Sequence, residues 1–268
     1  MDNKIIISIL NEWMMVEDEV DANDRFLLNV VSRERIQLPS LGDFDISCCA
    51  FSSPSDADCH IVFSGDEGIL FCKPGGDEYQ RQDHQVEDSP THIISNGRKI
   101  YGIIGKIVVA FEFEESRLWL RPILEGSRIP SPPPAHIRCT KRFMIQSQSC
   151  DDELLIVVRQ GIGMFGFEVS KFTIYKANLT RGEGWIKMDG IGTRTIFLND
   201  WDEGFCCSTT DPAIKKNSIY YLSEDDTYIY VWDLEEQSVT MHLPSSDVDQ
   251  QHTILYWIML PGSMHKVV

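Results

Sequence analysis

A glycine-rich segment near the middle of the chain has the spacing of a nucleotide-binding loop. Gly161–Gly166 spells G-x-G-x-x-G directly after the strand-like run Leu154–Arg159. In a dinucleotide-binding loop, the phosphates bind at the N-terminus of a helix that follows the glycines. Here the β-branched and aromatic run Phe167–Tyr175 follows instead. We therefore expect a hairpin loop at this segment, and we predict that the protein has no cofactor.

Two other glycine-rich segments carry carboxylates that could perform acid and base chemistry. They are Gly65–Gly68, which contains Asp66 and Glu67, and Pro74–Asp77. Paired carboxylates act as general acid and base when their environments separate their pKa values. Glycine, proline and aspartate at this density are also typical of tight turns. We interpret both segments as turns with solvated acids, and an acid/base pair is the alternative.

Metal ligands and catalytic nucleophiles lack the spacing that their chemistry requires. The seven histidines and eight cysteines include no Cys-x-x-Cys or His-x-x-x-His pair for zinc. Asp56–Asp58 and Glu224–Asp226 do not follow the order of carboxylates in a calcium loop, and no G-x-S-x-G motif occurs. We predict no metal site and no catalytic residues, and we expect that the protein is not an enzyme.

The charge of the chain limits the classes of partner. Its 268 residues contain 24 Lys and Arg against 41 Asp and Glu, so the formal net charge at pH 7 is −17. Nucleic acids and anionic lipid surfaces attract basic proteins, so neither is an expected partner. The apolar run Ile5–Leu10 is far shorter than the ~20 residues that a membrane-spanning helix needs. We expect a protein partner with a basic or neutral surface, and no membrane.

Hydrophobic periodicity indicates the elements that must position any site. Short runs rich in β-branched and aromatic residues recur between Gly, Asp, Asn and Ser, which predicts strands throughout the chain. These strands group in fours, and residues of the third strand in successive groups stand 43, 39, 65 and 56 positions apart: Leu27, Leu70, Val109, Ile174 and Tyr230. Such grouping is typical of propeller blades. We predict an all-β fold, a β-propeller with about five visible blades, and a β-sandwich is the alternative.

Two insertions explain the longer spacings. The first, residues 125–135, is Pro-rich, and we interpret it as a stiff linker between blades. An SH3-binding motif at Pro130-x-x-Pro133 is the alternative. The second insertion is Asn199–Asn217. Its first residue is followed by four residues of which three are acidic: Asp200, Trp201, Asp202 and Glu203. Because an aromatic residue between acids on a long loop is typical of a hot spot for a basic partner, we predict that these four residues contact the partner.

Cysteine usage favours a reducing compartment. The eight cysteines include two adjacent pairs, Cys48-Cys49 and Cys206-Cys207, and the other cysteines lie far apart. Neighbouring residues of a strand point to opposite faces, which suits packing better than a disulfide. We expect reduced, structural thiols and a cytoplasmic or nuclear location.

Several segments, taken in their order along the chain, resemble those of one plant protein family. They are Arg25–Val30 with Arg33–Pro39, Gly184–Met188 with Gly192 and Ile196–Leu198, Phe205–Ser208, Lys216–Tyr221, Tyr230–Leu234 and Trp257–Pro261. The sequence is similar to plant F-box proteins with a KIB-type β-propeller. The resemblance implies a kelch-like propeller that binds other proteins, as the substrate-recognition part of a cullin ubiquitin ligase does.

The sequence also departs from this family. No helical F-box, the module that grips the Skp adaptor, is found, because the strand pattern begins within ten residues of Met1. Direct Skp binding is therefore not expected, and residues 1–268 are predicted to form a single propeller domain. With five visible blades, we expect an incomplete ring or one closed by the last predicted strand, Thr253–Met259. A degenerate paralogue without partners and a propeller hydrolase with axial carboxylates are the alternative functions.

Overall fold

The computed structural model describes most of the chain, and all of its regular elements are β-strands. The described residues are 4–18, 20–21, 24–54, 58–83, 89–96, 98–114, 117–124, 128–130, 139–147, 153–162, 168–179, 184–198, 204–222 and 228–242. Within these ranges, no helix is long and apolar enough to cross a membrane. The chain divides into two compact units, with the boundary between Arg128 and Ile129.

The first unit contains three four-stranded antiparallel sheets, each formed by consecutive strands. The strands are β1 (Lys4–Leu10), β2 (Trp13–Asp18), β3 (Arg25–Asn29), β4 (Arg35–Gln37), β5 (Cys48–Phe51), β6 (Ile61–Gly65), β7 (Gly68–Cys72), β8 (Gln80–Gln82), β9 (His92–Asn96), β10 (Lys99–Ile104), β11 (Ile107–Glu114) and β12 (Arg117–Pro122). Because antiparallel neighbours need only short connections, each sheet is built from one continuous stretch of sequence.

The second unit contains one nine-stranded sheet. Its strands are β13 (Cys139–Ser147), β14 (Glu153–Ile162), β15 (Glu168–Asn178), β16 (Ile186–Met188), β17 (Arg194–Leu198), β18 (Gly204–Ser208), β19 (Ser218–Leu222), β20 (Ile229–Asp233) and β21 (Ser238–His242). One blade is β13–β16, and the other is β17 with β19–β21. Strand β18 joins them, because it pairs antiparallel with β17 and parallel with β13.

These sheets confirm the prediction of an all-β propeller, with five four-stranded blades in the part of the chain that is described. The segment Phe205–Ser208 lies in β18, which follows β17 and precedes β19 in the sequence. The strand Thr253–Met259 and its role in closing the ring lie outside the described residues. That hypothesis, and the single domain over residues 1–268, stay predictions.

The second sheet of the first unit is buried on both faces. Every residue of β6 and β7 is buried. Alternate side chains point to opposite faces of a strand. Those that pack against the first sheet are Ile61, Phe63, Leu70 and Cys72. Those that pack against the third sheet are Val62, Ile69 and Phe71. Since full burial of such a side chain contributes about 1.5–3 kcal/mol, contact between sheets is the main source of stability in this unit.

The Cys48-Cys49 doublet in β5 follows the same alternation, as predicted. The Cys49 thiol donates a hydrogen bond to the carbonyl of Ile7 in the first sheet, at 3.5 Å. The Cys48 thiol donates to the carbonyl of Pro90, at 3.3 Å, and its side chain packs against the cluster shared with the third sheet. Burial raises the pKa of Cys72 and of Cys206 to about 12. These thiols therefore stay protonated at neutral pH and serve packing.

A tight turn of the same form connects consecutive blades in both units. The carbonyl of Leu41 accepts a hydrogen bond from the Phe44 amide, and that of Ile191 accepts one from the Arg194 amide, each at 3.3 Å. The residue after each carbonyl is a glycine with positive φ, +60° at Gly42 and +68° at Gly192. Glycine adopts this conformation without steric cost. Leu41 and Ile191 are buried, so each turn is anchored in the core.

We predict that Cys206 resists alkylation in the native protein. Its side chain has no exposed surface, and a pKa of about 12 instead of 9.0 lowers the thiolate fraction about a thousandfold. Treatment with iodoacetamide at pH 8, followed by peptide mass spectrometry, should label Cys206 only after a denaturant is added. Equal rates of labelling in native and denatured protein would contradict this assignment.

We also predict that Gly65→Ala destabilises the protein by about 3 kcal/mol, since overpacking at a backbone contact has that cost. A Cβ at this position would lie 2.0 Å from the carbonyl oxygen of Asp45. The control is Gly105→Ala, where φ is +59° but nothing lies within 4 Å, so only about 1 kcal/mol is expected from the left-handed backbone. Urea denaturation measures both, and equal losses would refute the close approach.

Candidate functional site

An open groove of about 530 Å³ lies on the surface of the first unit. One wall is the connection between β4 and β5. The other walls are the β6–β7 turn, the β7–β8 connection and β8. The residues that line the groove are Pro39, Ser40, Leu41, Asp43, Phe44, Glu67, Leu70, Asp77, Glu78, Tyr79 and Arg81. Its volume is in the range of about 300–1,000 Å³ that ligand sites occupy.

The floor of the groove is an edge of the hydrophobic core. Leu41, Phe44 and Leu70 belong to the cluster between the first and second sheets, and Tyr79 packs against that cluster. The ring of Tyr79 meets Phe63 edge to face, with 5.6 Å between the ring centroids. Because core side chains hold single conformations, the floor is a rigid apolar surface.

The Tyr79 hydroxyl points into the protein and not into the groove. It is buried and has no hydrogen-bond partner among the described residues. Burial, with the nearby Cys72 thiol, raises the pKa of Tyr79 well above its usual range. Tyr79 therefore contributes its ring to the lining of the groove, while its phenol stays uncharged.

The rim of the groove is acidic. Asp43, Glu67, Asp77 and Glu78 are all exposed. The cation among the lining residues is Arg81, and it already contacts Asp83 and Glu67. Its Nε donates to Asp83 at 2.7 Å, and its Nη2 donates to the backbone carbonyl of Glu67 at 3.1 Å. The groove thus presents an excess of carboxylates around an apolar floor, which is chemistry for binding a basic group.

The structure brings together acids that the sequence analysis placed on separate turns. Glu67 comes from the first glycine-rich turn and Asp77 from the second, and both line the groove. Three lining residues outside the two turns were not predicted: Asp43, Phe44 and Tyr79. A sequence signal for Asp43 is its place in the Leu41–Phe44 turn, since the turns of a propeller lie near each other at the blade ends.

The other predicted sites lie elsewhere in the chain. The predicted partner contact at Asp200, Trp201, Asp202 and Glu203 lies outside the described residues, as does most of the linker 125–135. The glycine-rich segment Gly161–Gly166 begins at the end of β14, and the antiparallel strand β15, not a helix, follows it. Within the described ranges, no three His, Cys, Asp or Glu side chains are arranged to hold a metal ion.

A comparison with models of protein families identifies the family of this chain. The sequence model of the KIB1-4 beta-propeller family matches residues 1–249. The chain belongs to the KIB1-4 beta-propeller family. A comparison with curated proteins finds no match.

Solved structures that resemble this KIB1-4 propeller are distant. TolB from Acinetobacter baumannii has 9% identity and a TM-score of 0.45, and the alignment covers 89% of this chain and 53% of TolB. The Neurospora crassa Pan2 WD40 domain has 10% identity and a TM-score of 0.41, over 90% and 76%. The Myceliophteria thermophila Cps50 (Swd1) β-propeller domain has 7% identity and a TM-score of 0.44, over 90% and 86%.

The chain thus spans about half the length of TolB.

Motif residues that link the sequence to KIB-type propellers have structural roles here. In the first motif, the Asn29 side chain accepts hydrogen bonds from the amides of Val31 and Ser32, at 2.9 and 2.8 Å, and so closes the β3–β4 turn. In a later motif, Asn217 Oδ1 accepts a hydrogen bond from the Ile191 amide at 2.9 Å. This bond fixes the inter-blade turn at Gly192. Both asparagines therefore hold turns between strands.

We predict that Asn217→Ala destabilises this KIB1-4 propeller by about 2 kcal/mol, because it removes a hydrogen bond and leaves alanine in the left-handed region. The φ of Asn217 is +54°. Glycine adopts this φ without strain, so Asn217→Gly should lower the stability by only about 1 kcal/mol. Asn217→Asp keeps the acceptor oxygen. Chemical denaturation of the three variants measures the order. A loss for Asn217→Gly equal to that for Asn217→Ala would exclude the backbone contribution.

Proposed function

We propose that this chain is a protein-binding propeller that recognises a partner with a basic or neutral surface. Its membership of the KIB1-4 beta-propeller family supports this function, because kinship with substrate-recognition propellers of F-box proteins implies protein ligands. The recognition role is that of a ligase substrate receptor, carried out by a propeller that does not itself grip the Skp adaptor.

The observation that carries the proposal is the position of the acidic residues. The full sequence has a net charge of −17. In the described part of the chain, exposed acids lie on the connections between strands, where propellers bind their ligands. Examples are Asp43, Glu67, Asp77 and Glu78. Excess negative charge at the binding loops speeds encounter with basic surfaces and repels acidic ones.

The test begins with capture from native extract and ends with purified components. A captured protein is identified, purified and titrated against the full chain by calorimetry at about 50 and about 300 mM salt, on either side of physiological ionic strength. We predict direct binding that weakens at least about tenfold as salt rises, and that Trp201→Ala weakens it by about 2 kcal/mol. Wild-type affinity in Trp201→Ala would remove residues 200–203 from the contact.

Purified Skp adaptor is the control protein in the same titration. No binding of Skp to the chain is expected. Direct Skp binding would contradict the proposed separation of recognition from adaptor binding. Failure of every captured protein to bind the purified chain directly would contradict a protein-binding function.

A further inference from the structure

The acidic groove of the first unit has both the shape and the charge of a peptide-docking site. We propose that it binds a short extended segment of the partner in which basic residues flank one aliphatic or aromatic side chain. This inference rests on the proposed function, and it names the surface and the chemistry of the ligand.

Size favours a short segment over a larger element. A volume of about 530 Å³ is that of a small-ligand site, so the groove accepts a few residues and not a helix face. Its floor of Leu41, Phe44, Leu70 and the Tyr79 ring is apolar. One apolar side chain of the ligand is therefore expected on this floor, where it leaves water.

Charge determines what flanks that side chain. Four carboxylates and one guanidinium line the groove, which is a formal excess of three negative charges. The guanidinium of Arg81 is held by Asp83 and Glu67, so it does not oppose a cationic ligand at full strength. Exposed Asp43 stands on one wall, and exposed Asp77 and Glu78 stand on another. Lysine or arginine on each side of the apolar anchor meets a carboxylate on each wall.

The walls are fixed to one another, so the groove exists before the ligand arrives. The β6–β7 turn lies so close to the β4–β5 connection that a Cβ on Gly65 would be 3.1 Å from the Phe44 ring. A Cβ on Gly68 would be 2.7 Å from the carbonyl of Gln82. Arg81 links β8 to the same turn through the carbonyl of Glu67. A preformed site avoids the entropy of ordering loops during binding.

The matched pair of variants changes charge by the same amount at two places. Asp77→Asn with Glu78→Gln removes two carboxylates from the groove. Glu235→Gln with Glu236→Gln removes two exposed carboxylates from a turn of the second unit. If both pairs of variants lose the same affinity, net charge alone explains the binding. If only the groove pair loses affinity, the peptide binds in the groove.

The probe is a short fluorescein-labelled peptide with a central leucine and two lysines on each side, titrated against the full chain by anisotropy at low salt. We expect binding that Asp77→Asn with Glu78→Gln weakens about tenfold and that the second-unit pair changes by less than about twofold. Replacing the leucine by glycine should weaken binding about tenfold. A peptide with glutamates for lysines should not bind.

Several results would overturn the proposal that the groove binds the peptide. They are equal weakening by both pairs of variants, equal binding of the leucine and glycine peptides, binding of the glutamate peptide, and displacement of the peptide by millimolar Ca²⁺ with Ca²⁺ binding lost in the groove variant. A dimer of the full chain that the groove variant dissociates in sedimentation would assign the groove to a second copy, and would also overturn it. If the captured partner binds wild type and the groove variant equally, the groove is wrong while the protein-binding function stands.

Discussion

The first unit depends on one constraint, which is that a sheet with apolar side chains on both faces must be covered on both faces. The second sheet shows it most clearly, since every residue of β6 and β7 is buried. The pleat sends Phe63 towards the first sheet and Val62 towards the third. A four-stranded blade of this composition cannot be stable alone in water, so blades must stack. The order of the stacked sheets then determines which turns become neighbours.

Stacking also explains why the candidate site is a groove between turns. The close approach of Gly65 to Asp45 brings the end of the second sheet against the connection from the first. That contact leaves core residues such as Leu70 as a floor and exposed acids such as Asp77 as a rim. The groove is therefore a consequence of blade packing. The contacts that make the groove rigid are those that stabilise the unit.

Much of the fold was predictable, and the reason is that strand signals are local. Period-two patterning located the strands of all five blades, and the Cys48-Cys49 doublet was correctly expected to split between two faces. The site was only partly predictable. Glu67 and Asp77 were recognised as turn acids, but nothing in their sequence spacing shows that they share a groove with Asp43. The packing of Tyr79 against Phe63 depends on the fold.

The sequence by itself determined the class of fold, the grouping of strands in fours, the family and the acidic character, because alternation, turn residues and charge are properties of neighbouring positions. Only the tertiary structure decided that Arg81 contacts the turn at Glu67, that the Tyr79 hydroxyl faces inward, and that Asn217 holds the turn at Ile191. The physical reason is that these contacts join residues from different strands and turns. Their distances are determined by how sheets pack face to face, which no local pattern records.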